Sequence, residues 1–493
     1  FPMNKHKLFL NGEWLDSATG ETFEDINPAT LEPIGLFQKA TVDDVNHAVD
    51  SAEEAFDSWS RTPPPQRAKI LYRAARLLEE RKEDLARLMT MENGKVLPEA
   101  RGDVQEAIDM AYYTAGEGRR LFGETTPSEL PNKFCMTVRR PIGVVGLITP
   151  FNFPLAIPAW KIMPALVSGN TMVLKPSSDT PLLAVELIKI LSHAGVPEGV
   201  INLVTGVGGE AGTALVKSRK VKAISFTGSL ETGKWILSES GKDMKRVSLE
   251  LGGKNPIIVM DDAKIDLAVD GVLWGAFGTT GQRCTAASRV IVEEKVLPEF
   301  QRKLILRAKG LKAGSGLDES VDMGPLINGG QLAKVERYVQ IGADEGARLV
   351  YGGSRINPLP GYFFLPTIFT EVTAEMRMAQ EEIFGPVLSL IRAEDLEQAI
   401  EIANSVPYGL SSSIYTENIK NAFQAIERLD AGITYVNAPT IGAEIHLPFG
   451  GVKATGNGTR EAGTTAIDEF THLKTIYFDY SDRLQKAQID TQN

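Results

Sequence analysis

The sequence predicts a protein of the α/β class built around a doubly wound parallel sheet. Short apolar runs alternate with helix-length amphipathic runs between Pro141 and Val259, and a similar alternation returns between Val290 and Asn404. Strands that alternate with helices pair in parallel, because each crossover helix returns the chain to the same end of the sheet. A chain of 493 residues is too long for one core, so we expect at least two domains.

The elements follow from the local patterns in chain order. Residues 41–118 carry helical patterns, and apolar residues recur at three- and four-residue spacing from Arg73 to Met91. The tail beyond Phe470 alternates as an edge strand does. The expected strands are 143–148, 171–175, 200–204, 223–226, 246–251, 290–292 and 388–391, and the expected helices are 155–166, 180–191, 300–308 and 396–404.

Polar residues and glycines stand where the expected strands end. They are Asn152, Lys175, Gly206, Gly228 and Glu250. Ligands of doubly wound sheets bind at the carboxyl ends of the strands, so these positions predict a nucleotide site.

Two glycine patterns are weak evidence for a nucleotide site when each is taken alone. The run from Gly206 to Ala211 fits a dinucleotide fingerprint, which is a weak signal in isolation. The run from Gly228 to Lys234 is similar to a phosphate-binding P-loop, but Trp235 stands where a hydroxyl residue must hold magnesium. We therefore exclude a P-loop.

Composition and charge exclude several function classes. The formal charge of −11 argues against nucleic acid as a partner, since phosphate binding needs clustered lysine and arginine. No window approaches the ~20 apolar residues needed to cross a bilayer, and no apolar signal core is present, so we expect a cytoplasmic protein without membrane contact. Two cysteines cannot form a disulfide framework, and the five histidines show no metal-ligand spacing, so no metal is expected.

Four separated strings contain the groups that a catalytic thiol needs. Cys284 lies in Gly281-Gln282-Arg283-Cys284-Thr285, and the other strings are 149–154, 249–253 and 381–386. They supply one thiol, one amide (Asn152) and two carboxylates (Glu250 and Glu382), each beside glycine or proline. Together these groups indicate an acyl-transfer site.

Each of these residues also has an ordinary structural interpretation. A lone Cys284 could be a packed thiol, and Asn152 could cap the helix that follows it. Glu250 could form a salt bridge at a strand end, while Glu382 and Phe384 could be a solvated acid and a core aromatic. The occurrence of all four strings in this order favours the catalytic interpretation.

These strings, in this order, resemble the aldehyde dehydrogenase superfamily over nearly the whole chain from Asn11 onward. The resemblance implies a Rossmann-like cofactor domain over 1–121 and 140–252 and a second α/β catalytic domain over 253–450. It also implies a small β oligomerisation element over 122–139 and 465–493, which would build a homodimer or homotetramer.

The resemblance assigns roles to individual residues. Cys284 would be the nucleophile, Asn152 half of an oxyanion hole and Glu250 the general base, with Lys161 in the catalytic set. Ser178 stands where many relatives carry a glutamate that repels a 2′-phosphate, so we expect NADP to be accepted as well as NAD. The residues expected to bind the cofactor are Thr149, Trp160, Lys175, Ser178, Gly208, Phe226, Ser229, Glu382 and Phe384.

The expected substrate is an aldehyde that bears a carboxylate. The strings 284–289 and 442–451 resemble those of bacterial 2-oxoglutarate semialdehyde dehydrogenases, and Gly442-Ala443-Glu444 is also similar to aminoadipate semialdehyde dehydrogenases. Relatives that transfer the acyl group to coenzyme A lack Glu250, so hydrolysis to a free acid is expected. The residues expected to contact the substrate are Arg283, Thr285, Phe153, Glu444, His446 and Phe449.

Several alternatives remain open. The substrate could be an aminoadipate-type semialdehyde or a broad range of aliphatic aldehydes. Arg283 could be a structural charge rather than an anchor for the substrate. The chain could also be a catalytically silent relative or a plain thiol esterase, although the retained thiol, base and cofactor strings count against both.

Overall fold

A computed structural model describes residues 4–490 of the chain. Residues 1–3 and 491–493, where the predicted cofactor and oligomerisation units begin and end, lie outside the described part. The strands are β1 (Lys5–His6), β2 (Leu8–Leu10), β3 (Glu13–Leu15), β4 (Thr22–Ile26), β5 (Pro33–Gln38), β6 (Thr125–Pro127), β7 (Lys133–Pro141), β8 (Val144–Ile148), β9 (Thr171–Lys175), β10 (Ile201–Leu203), β11 (Val221–Thr227), β12 (Arg246–Glu250), β13 (Asn255–Val259), β14 (Ala287–Glu293), β15 (Arg348–Tyr351), β16 (Thr367–Thr370), β17 (Val387–Ala393), β18 (Tyr408–Gly409), β19 (Ser411–Tyr415), β20 (Ile433–Val436), β21 (Val452–Lys453) and β22 (Thr471–Asp479).

The helices lie between and around these strands. They are α1 (Val42–Arg61), α2 (Pro64–Glu80), α3 (Lys82–Asn93), α4 (Leu97–Glu117), α5 (Ala156–Ser168), α6 (Pro181–Ala194), α7 (Thr213–Lys217), α8 (Leu230–Gly241), α9 (Ile265–Phe277), α10 (Leu297–Ala308), α11 (Gly329–Asp344), α12 (Arg377–Gln380), α13 (Leu396–Asn404), α14 (Ile419–Arg428) and α15 (Thr465–Glu469).

The first large sheet is doubly wound, as predicted. Its strand order is β12-β11-β8-β9-β10-β2-β3, and the five strands from β12 to β10 are parallel. Strands β8 and β9 are apolar runs buried on both faces, which is typical of parallel sheets covered by helices. The order of connection reverses between β8 and β11, so a ligand crevice is expected where these two strands end.

The second large sheet carries the other half of the core. Its order is β15-β16-β17-β14-β13-β19-β20, with β15 antiparallel and the other strands parallel. Buried residues of β13, β14 and β17 pack against α9 and α10 on one face and against α11 and α13 on the other. This arrangement confirms the prediction of a second α/β unit.

A third, smaller sheet joins two distant parts of the chain. Strand β7 pairs antiparallel with β6 and with β22, in a register that runs from Thr471 opposite Pro141 to Asp479 opposite Lys133. Large apolar side chains of β22 are exposed, among them Leu473, Tyr477 and Phe478. The predicted edge strand in the tail is therefore present.

Several features of the fold differ from the sequence prediction, among them an unpredicted sheet of β1, β5 and β4. The helical pattern from Arg73 to Met91 is split, because α2 ends at Glu80 and α3 begins at Lys82. An N-terminal hairpin, β2–β3, was not predicted and adds two antiparallel strands to the first sheet. Among residues 4–490, no helix combines the length and the apolar character needed to span a membrane.

Candidate active site

The segment that carries Cys284 is held in an unusual backbone conformation. Thr279 and Thr280 precede it with φ values of 51° and 57°, in the left-handed region that residues with side chains rarely adopt. The carboxylate of Glu99 accepts the N–H of Thr279 at 2.9 and 3.0 Å, and the hydroxyl of Thr280 donates to the carbonyl of Gly324 at 2.8 Å. Strained backbone held by such bonds is concentrated at functional sites.

Two cavities meet at Cys284. We call the one that Glu250 lines the inner cavity and the one that Asn152 lines the outer cleft. Thr227 and Leu251 also line both. The inner cavity is otherwise lined by Glu106, Phe153, Ile157, Trp160, Glu250, Arg283, Thr285, Gly442, Ala443, Phe449 and Glu461. The outer cleft is otherwise lined by Pro150, Phe151, Asn152, Gly228, Ser229, Gly252, Gln331, Lys334, Glu382 and Phe384.

Gly252 and Gly253 allow the walls of the site to approach one another. A Cβ at Gly252 would overlap the carboxylate of Glu382, and one at Gly253 would lie 2.6 Å from the carbonyl oxygen of Cys284. A contact this short with a backbone oxygen is not tolerated, so the chain can lie against Cys284 only because Gly253 lacks a side chain, whereas a methyl group at Gly252 would displace the Glu382 carboxylate.

The surroundings of Cys284 hold the proton on its sulfur. Burial, together with the nearby charges of Glu250 and Glu382, raises the pKa of the Cys284 thiol to about 12, against a hydrogen bond from the Thr285 backbone that lowers it. The resting residue is therefore a thiol, and it needs a base to become a nucleophile.

Glu250 ends strand β12 with both carboxyl oxygens buried and without hydrogen-bond partners among residues 4–490. Burial raises its pKa well above the ordinary range, and the charges of Glu461 and Glu469 add to this effect. A carboxyl group with a raised pKa is a stronger base, once ionised, than an exposed one. This environment suits a general base.

A buried ion pair lies beside this carboxyl group. Lys161, on α5, contacts the carboxylate of Glu461 and donates to the hydroxyl of Ser225 at 2.9 Å. Both partners of the pair are nearly inaccessible to solvent. Glu461 lines the inner cavity whereas Lys161 does not, so Lys161 acts on the cavity through Glu461.

Asn152 does not cap a helix. Helix α5 begins four residues later, at Ala156, and the buried Oδ1 of Asn152 has no partner among the described residues. Its backbone carbonyl accepts a hydrogen bond from the ammonium group of Lys95 at 2.7 Å, which fixes the segment. Asn152 lines the outer cleft together with Cys284. An amide held in this way can stabilise a developing oxyanion.

A third opening lies at the end of β11, and we call it the helix slot. It lies between the turn at Gly208–Gly212 and helix α8, and Phe226 lines it. Added Cβ atoms at Gly208 and Gly209 would meet no atom within 4 Å, so the turn is open to a ligand. Ser229 is the N-cap of α8, where free backbone N–H groups and the helix dipole favour a phosphate.

The remaining residues expected to bind the cofactor lie at the ends of β8 and β9. Lys175 ends β9, burial lowers its pKa to about 8, and its ammonium donates to the Pro176 carbonyl at 3.0 Å. Ser178 follows in a partly exposed loop. The Thr149 hydroxyl oxygen is buried without a partner among the described residues. These unsatisfied or exposed polar groups fit a dinucleotide.

Glu382 and Phe384 form the far wall of the outer cleft. The Glu382 carboxylate accepts the N–H of Gly253 at 3.1 Å, and burial raises its pKa. Phe384 has a φ of 60° and packs edge-on against Phe151 with ring centroids 5.8 Å apart. Both side chains are placed to contact a ligand that enters the cleft.

Four of the six residues expected to contact the substrate line the inner cavity, and two do not. Arg283, Thr285, Phe153 and Phe449 line it. Glu444 and His446 are exposed, and their side chains lie 3.5 Å apart in a pair with each other. In their place Gly442 and Ala443 line the cavity.

Trp160 also occupies a different place from the expected one. The sequence resemblance put it in the cofactor cleft, but its ring lines the inner cavity and packs edge-on against Phe449 with centroids 5.3 Å apart. The residues that sequence reasoning missed are Glu461, Glu99 and Glu106. No local pattern marks them, because each meets its partners only through the tertiary fold.

Comparison with known proteins agrees with this geometry. Residues 14–476 match the model of the Aldehyde dehydrogenase family. The chain is 44% identical over 478 residues to the alpha-ketoglutaric semialdehyde dehydrogenase of Bacillus subtilis strain 168, covering 96% of this chain and 98% of the relative. It is 44% identical over 475 residues to the 2,5-dioxopentanoate dehydrogenase of Saccharolobus solfataricus, covering 95% and 98%. A crystal structure of betaine aldehyde dehydrogenase from Staphylococcus aureus in complex with NAD+ superposes with a TM-score of 0.96 at 36% identity, covering 98% of this chain and 96% of that one.

Proposed function

Because this chain belongs to the aldehyde dehydrogenase family and is an NAD(P)-dependent oxidoreductase, we propose that it oxidises 2,5-dioxopentanoate, the semialdehyde of 2-oxoglutarate, to 2-oxoglutarate. One observation carries the chemistry: Cys284 lies where the inner cavity and the outer cleft meet. A thiol in this position can hold an aldehyde from one side while the cofactor approaches from the other.

The proposed reaction begins at sulfur. The thiol proton of Cys284 passes to water, and the thiolate of Cys284 attacks the aldehyde carbon to form a C–S bond. The amide of Asn152 and the backbone N–H of Cys284 stabilise the resulting oxyanion, and a donor of this kind contributes ~3 kcal/mol to the transition state. Nicotinamide supplies the acceptor for the hydride that leaves the carbon, and the acyl group remains on Cys284 as a thioester.

Hydrolysis completes the proposed cycle. Glu250 in its carboxylate form takes a proton from a water molecule, and the water oxygen bonds to the acyl carbon. The C–S bond then breaks to release the acid, and the proton on Glu250 passes to the departing thiolate of Cys284. The carboxylate–ammonium pair of Glu461 and Lys161 would govern the charge beside Glu250 through both steps. The two covalent stages replace one difficult oxidation by easier steps.

The cofactor is proposed to span the helix slot and the outer cleft. The slot would take the adenosine between Phe226 and the Gly208 turn, and the N-terminus of α8 at Ser229 would face the pyrophosphate. Lys175 and Ser178 would meet the adenosine ribose, and Glu382 and Phe384 the nicotinamide end; the family resemblance supports these assignments.

The proposed substrate rests on the relatives and on the inner cavity. Two relatives with 44% identity carry names that refer to this semialdehyde. The inner cavity holds one guanidinium, Arg283, and aromatic side chains that could enclose a short carbon chain. Arg283 is also paired with Glu99 at 3.2 Å, so its charge is partly neutralised.

The absorbance of reduced nicotinamide tests the proposal. The wild-type protein is mixed with 2,5-dioxopentanoate and NAD or NADP in parallel, without coenzyme A. We expect rapid turnover with 2-oxoglutarate as the product, and none from Cys284→Ala. Failure with both cofactors, in a preparation that oxidises other aldehydes, would reject this substrate; an aminoadipate-type semialdehyde would be the next one to assay.

The same assay tests the proposed use of NADP. Ser178 places no negative charge where a 2′-phosphate would lie, so we expect comparable efficiency with the two cofactors. Ser178→Glu should lower kcat/KM for NADP and leave that for NAD nearly unchanged. An NADP efficiency a thousandfold below that of NAD in the wild type would overturn this part of the proposal.

We also propose that the protein is a homodimer or homotetramer assembled through the small third sheet. The support is the exposed apolar side chains of β22, because contiguous exposed apolar surface marks an interface. Sedimentation analysis of the wild type and of Tyr477→Glu would test this. A monomeric wild type would contradict it. The predicted domain limits, 1–121 with 140–252 and 253–450, follow the two large sheets and remain proposals.

A further inference from the structure

The inner cavity contains a carboxyl group that the proposed mechanism does not use. Glu106 projects from α4 and lines the same cavity as Cys284 and Arg283. It is half-buried, and its carboxyl group forms no hydrogen bond with any residue in the described range 4–490. A carboxyl group left unpaired beside a reacting thiol is available to a ligand.

Arg283 is less available than its position suggests. Its Nη2 donates to Glu99 at 3.2 Å and its Nε donates to the hydroxyl of Thr279 at 3.0 Å. Its guanidinium also lies 5.4 Å from the ring centroid of Phe153 and 5.9 Å from that of Trp274. Only Nη1 remains without a hydrogen-bond partner among the described residues, and the ion pair of Arg283 with Glu99 has no net charge. Arg283 alone therefore offers an incoming carboxylate few donors.

The groups that face Glu106 come from three segments. Asp103 and Asp109 lie on its own helix, Lys95 lies in the loop before it, and Arg283 lies in the segment before β14. Lys95 is itself paired with Asp103 at 2.9 Å, so it compensates little of the negative charge near Glu106. Burial is the largest cause that raises the pKa of Glu106 to about 8; the charges of Asp103 and Asp109 also raise it, and those of Arg283 and Lys95 lower it.

We propose that Glu106, in its protonated form, is the second hydrogen-bond donor beside Arg283 for the carboxylate tail of an acidic aldehyde. The proposal rests on the proposed function and names the side chain that gives it specificity. Glu106 donates its O–H to one carboxylate oxygen of the substrate, and Arg283 donates an N–H to the tail from the same cavity. No proton is transferred in this recognition.

The charge balance of the cavity requires the protonated form. With Glu106 protonated, Arg283 and Glu99 cancel and an anionic tail meets two donors. With Glu106 ionised, the three groups carry one net negative charge, which repels an anionic tail and attracts a cationic one. The protonation state of Glu106 therefore decides which class of aldehyde the cavity accepts.

The pH dependence of specificity tests the proposal. The ratio of kcat/KM for 5-oxopentanoate to that for pentanal is measured from pH 6 to pH 10; the two aldehydes have the same chain length and differ in the carboxylate. Since only the protonated fraction of Glu106 binds the acid tail, the ratio should fall about tenfold between pH 7 and pH 9. Titration of Cys284 affects both aldehydes and cancels in the ratio, whereas a change caused by Glu250, which lines the same cavity, would persist in Glu106→Gln.

Glu106→Gln sharpens the test, because a glutamine amide donates a hydrogen bond at every pH. The variant should keep a high ratio at pH 7 and lose the fall at alkaline pH. Asp109→Asn is the matched control, since Asp109 is an exposed carboxylate on the same helix and the smallest of the named influences on the pKa of Glu106. Its ratio should still fall at alkaline pH and should follow that of the wild type within about twofold. Thermal unfolding of both variants verifies that they are folded.

The results separate this inference from the proposed function. A wild-type ratio that stays constant from pH 6 to pH 10, or a Glu106→Gln ratio that still falls, overturns the role of Glu106 even if 2,5-dioxopentanoate is the best substrate. Preference for a cationic aminoaldehyde at pH 7 also overturns it. Conversely, a falling wild-type ratio that Glu106→Gln abolishes supports the role even if 2,5-dioxopentanoate is not oxidised.

Discussion

Alkylation of Cys284 measures how strongly its surroundings hold the proton on sulfur. Its pKa is raised from an ordinary 9.0 to about 12, first by burial and then by the charges of Glu250 and Glu382. At pH 8 this lowers the thiolate fraction from about one in ten to about one in ten thousand, a difference of about 4 kcal/mol. The free protein should therefore react slowly with iodoacetamide.

The assay follows the rate of modification by intact mass between pH 7 and pH 10, in a Cys135→Ala background so that one thiol remains. We expect the rate to rise about tenfold per pH unit without a plateau, because the thiolate is the reactive form. Glu250→Gln removes the largest charge that opposes ionisation, so its rate should exceed that of the parent at alkaline pH. A plateau below pH 9 in the parent would refute the reasoning.

Three further predictions follow from buried contacts. Lys161→Met leaves Glu461 buried without its cation and should lower the free energy of unfolding by about 3–5 kcal/mol. Adding Glu461→Gln should recover part of this loss. If urea unfolding shows that the double variant loses as much as Lys161→Met or more, the pairing is contradicted. Asp25 lies beside Glu92, and burial and the charge of Asp179 raise its pKa to about 7. Its carboxyl group therefore stabilises the fold at acid pH, and this contribution to the free energy of unfolding is lost as the pH rises from about 4 through about 7. Asp25→Asn should therefore raise the melting temperature at pH 8 more than at pH 5, and a larger rise at pH 5 would contradict this prediction. Gly252→Ala places a methyl group on the Glu382 carboxylate and should raise KM for the cofactor at least tenfold, whereas Gly102→Ala, in open space on α4, should not change it.

The parallel strands and their helices could be predicted closely because buried strands are continuous apolar runs. Strand β9 at 171–175 and helix α13 at 396–404 have the predicted limits, and β8 differs by one residue at its start. Strand β9 is bounded by Asn170 and Pro176, β8 begins after Gly143, and α13 begins after its N-cap Asp395, so local residues mark these limits. Local patterns therefore determined most of the first sheet.

Elements that depend on distant partners were not predicted. Strands β2 and β3 have three residues each, and they are held by β10 and by a bond from the Asn11 N–H to the side chain of Asn202 at 2.9 Å. The Asn11-Gly12 turn is a strong hairpin signal that was present in the sequence. Such short strands have little periodicity, so only the turn could have indicated them.

The active site likewise contains residues that the local sequence identified and contacts that only the folded chain creates. The strings around Cys284, Asn152 and Glu250 name these residues, but the contact of Lys161 with Glu461 joins positions 300 residues apart. The placement of Trp160 on the inner cavity likewise depends on which face of α5 meets Phe449. Sequence could name the reacting groups, whereas the charges that tune them required the folded chain.

The central claim is that Cys284 carries the acyl group and that Glu250 activates the water that removes it. The most direct measurement is rapid mixing of Glu250→Gln with aldehyde and excess cofactor, followed by mass analysis of the Cys284 peptide. We predict a burst of reduced nicotinamide of up to about one per active site, an acyl adduct on Cys284, and steady turnover lowered about 10²- to 10⁴-fold. Unchanged turnover, or a burst with no adduct on Cys284, would contradict the account.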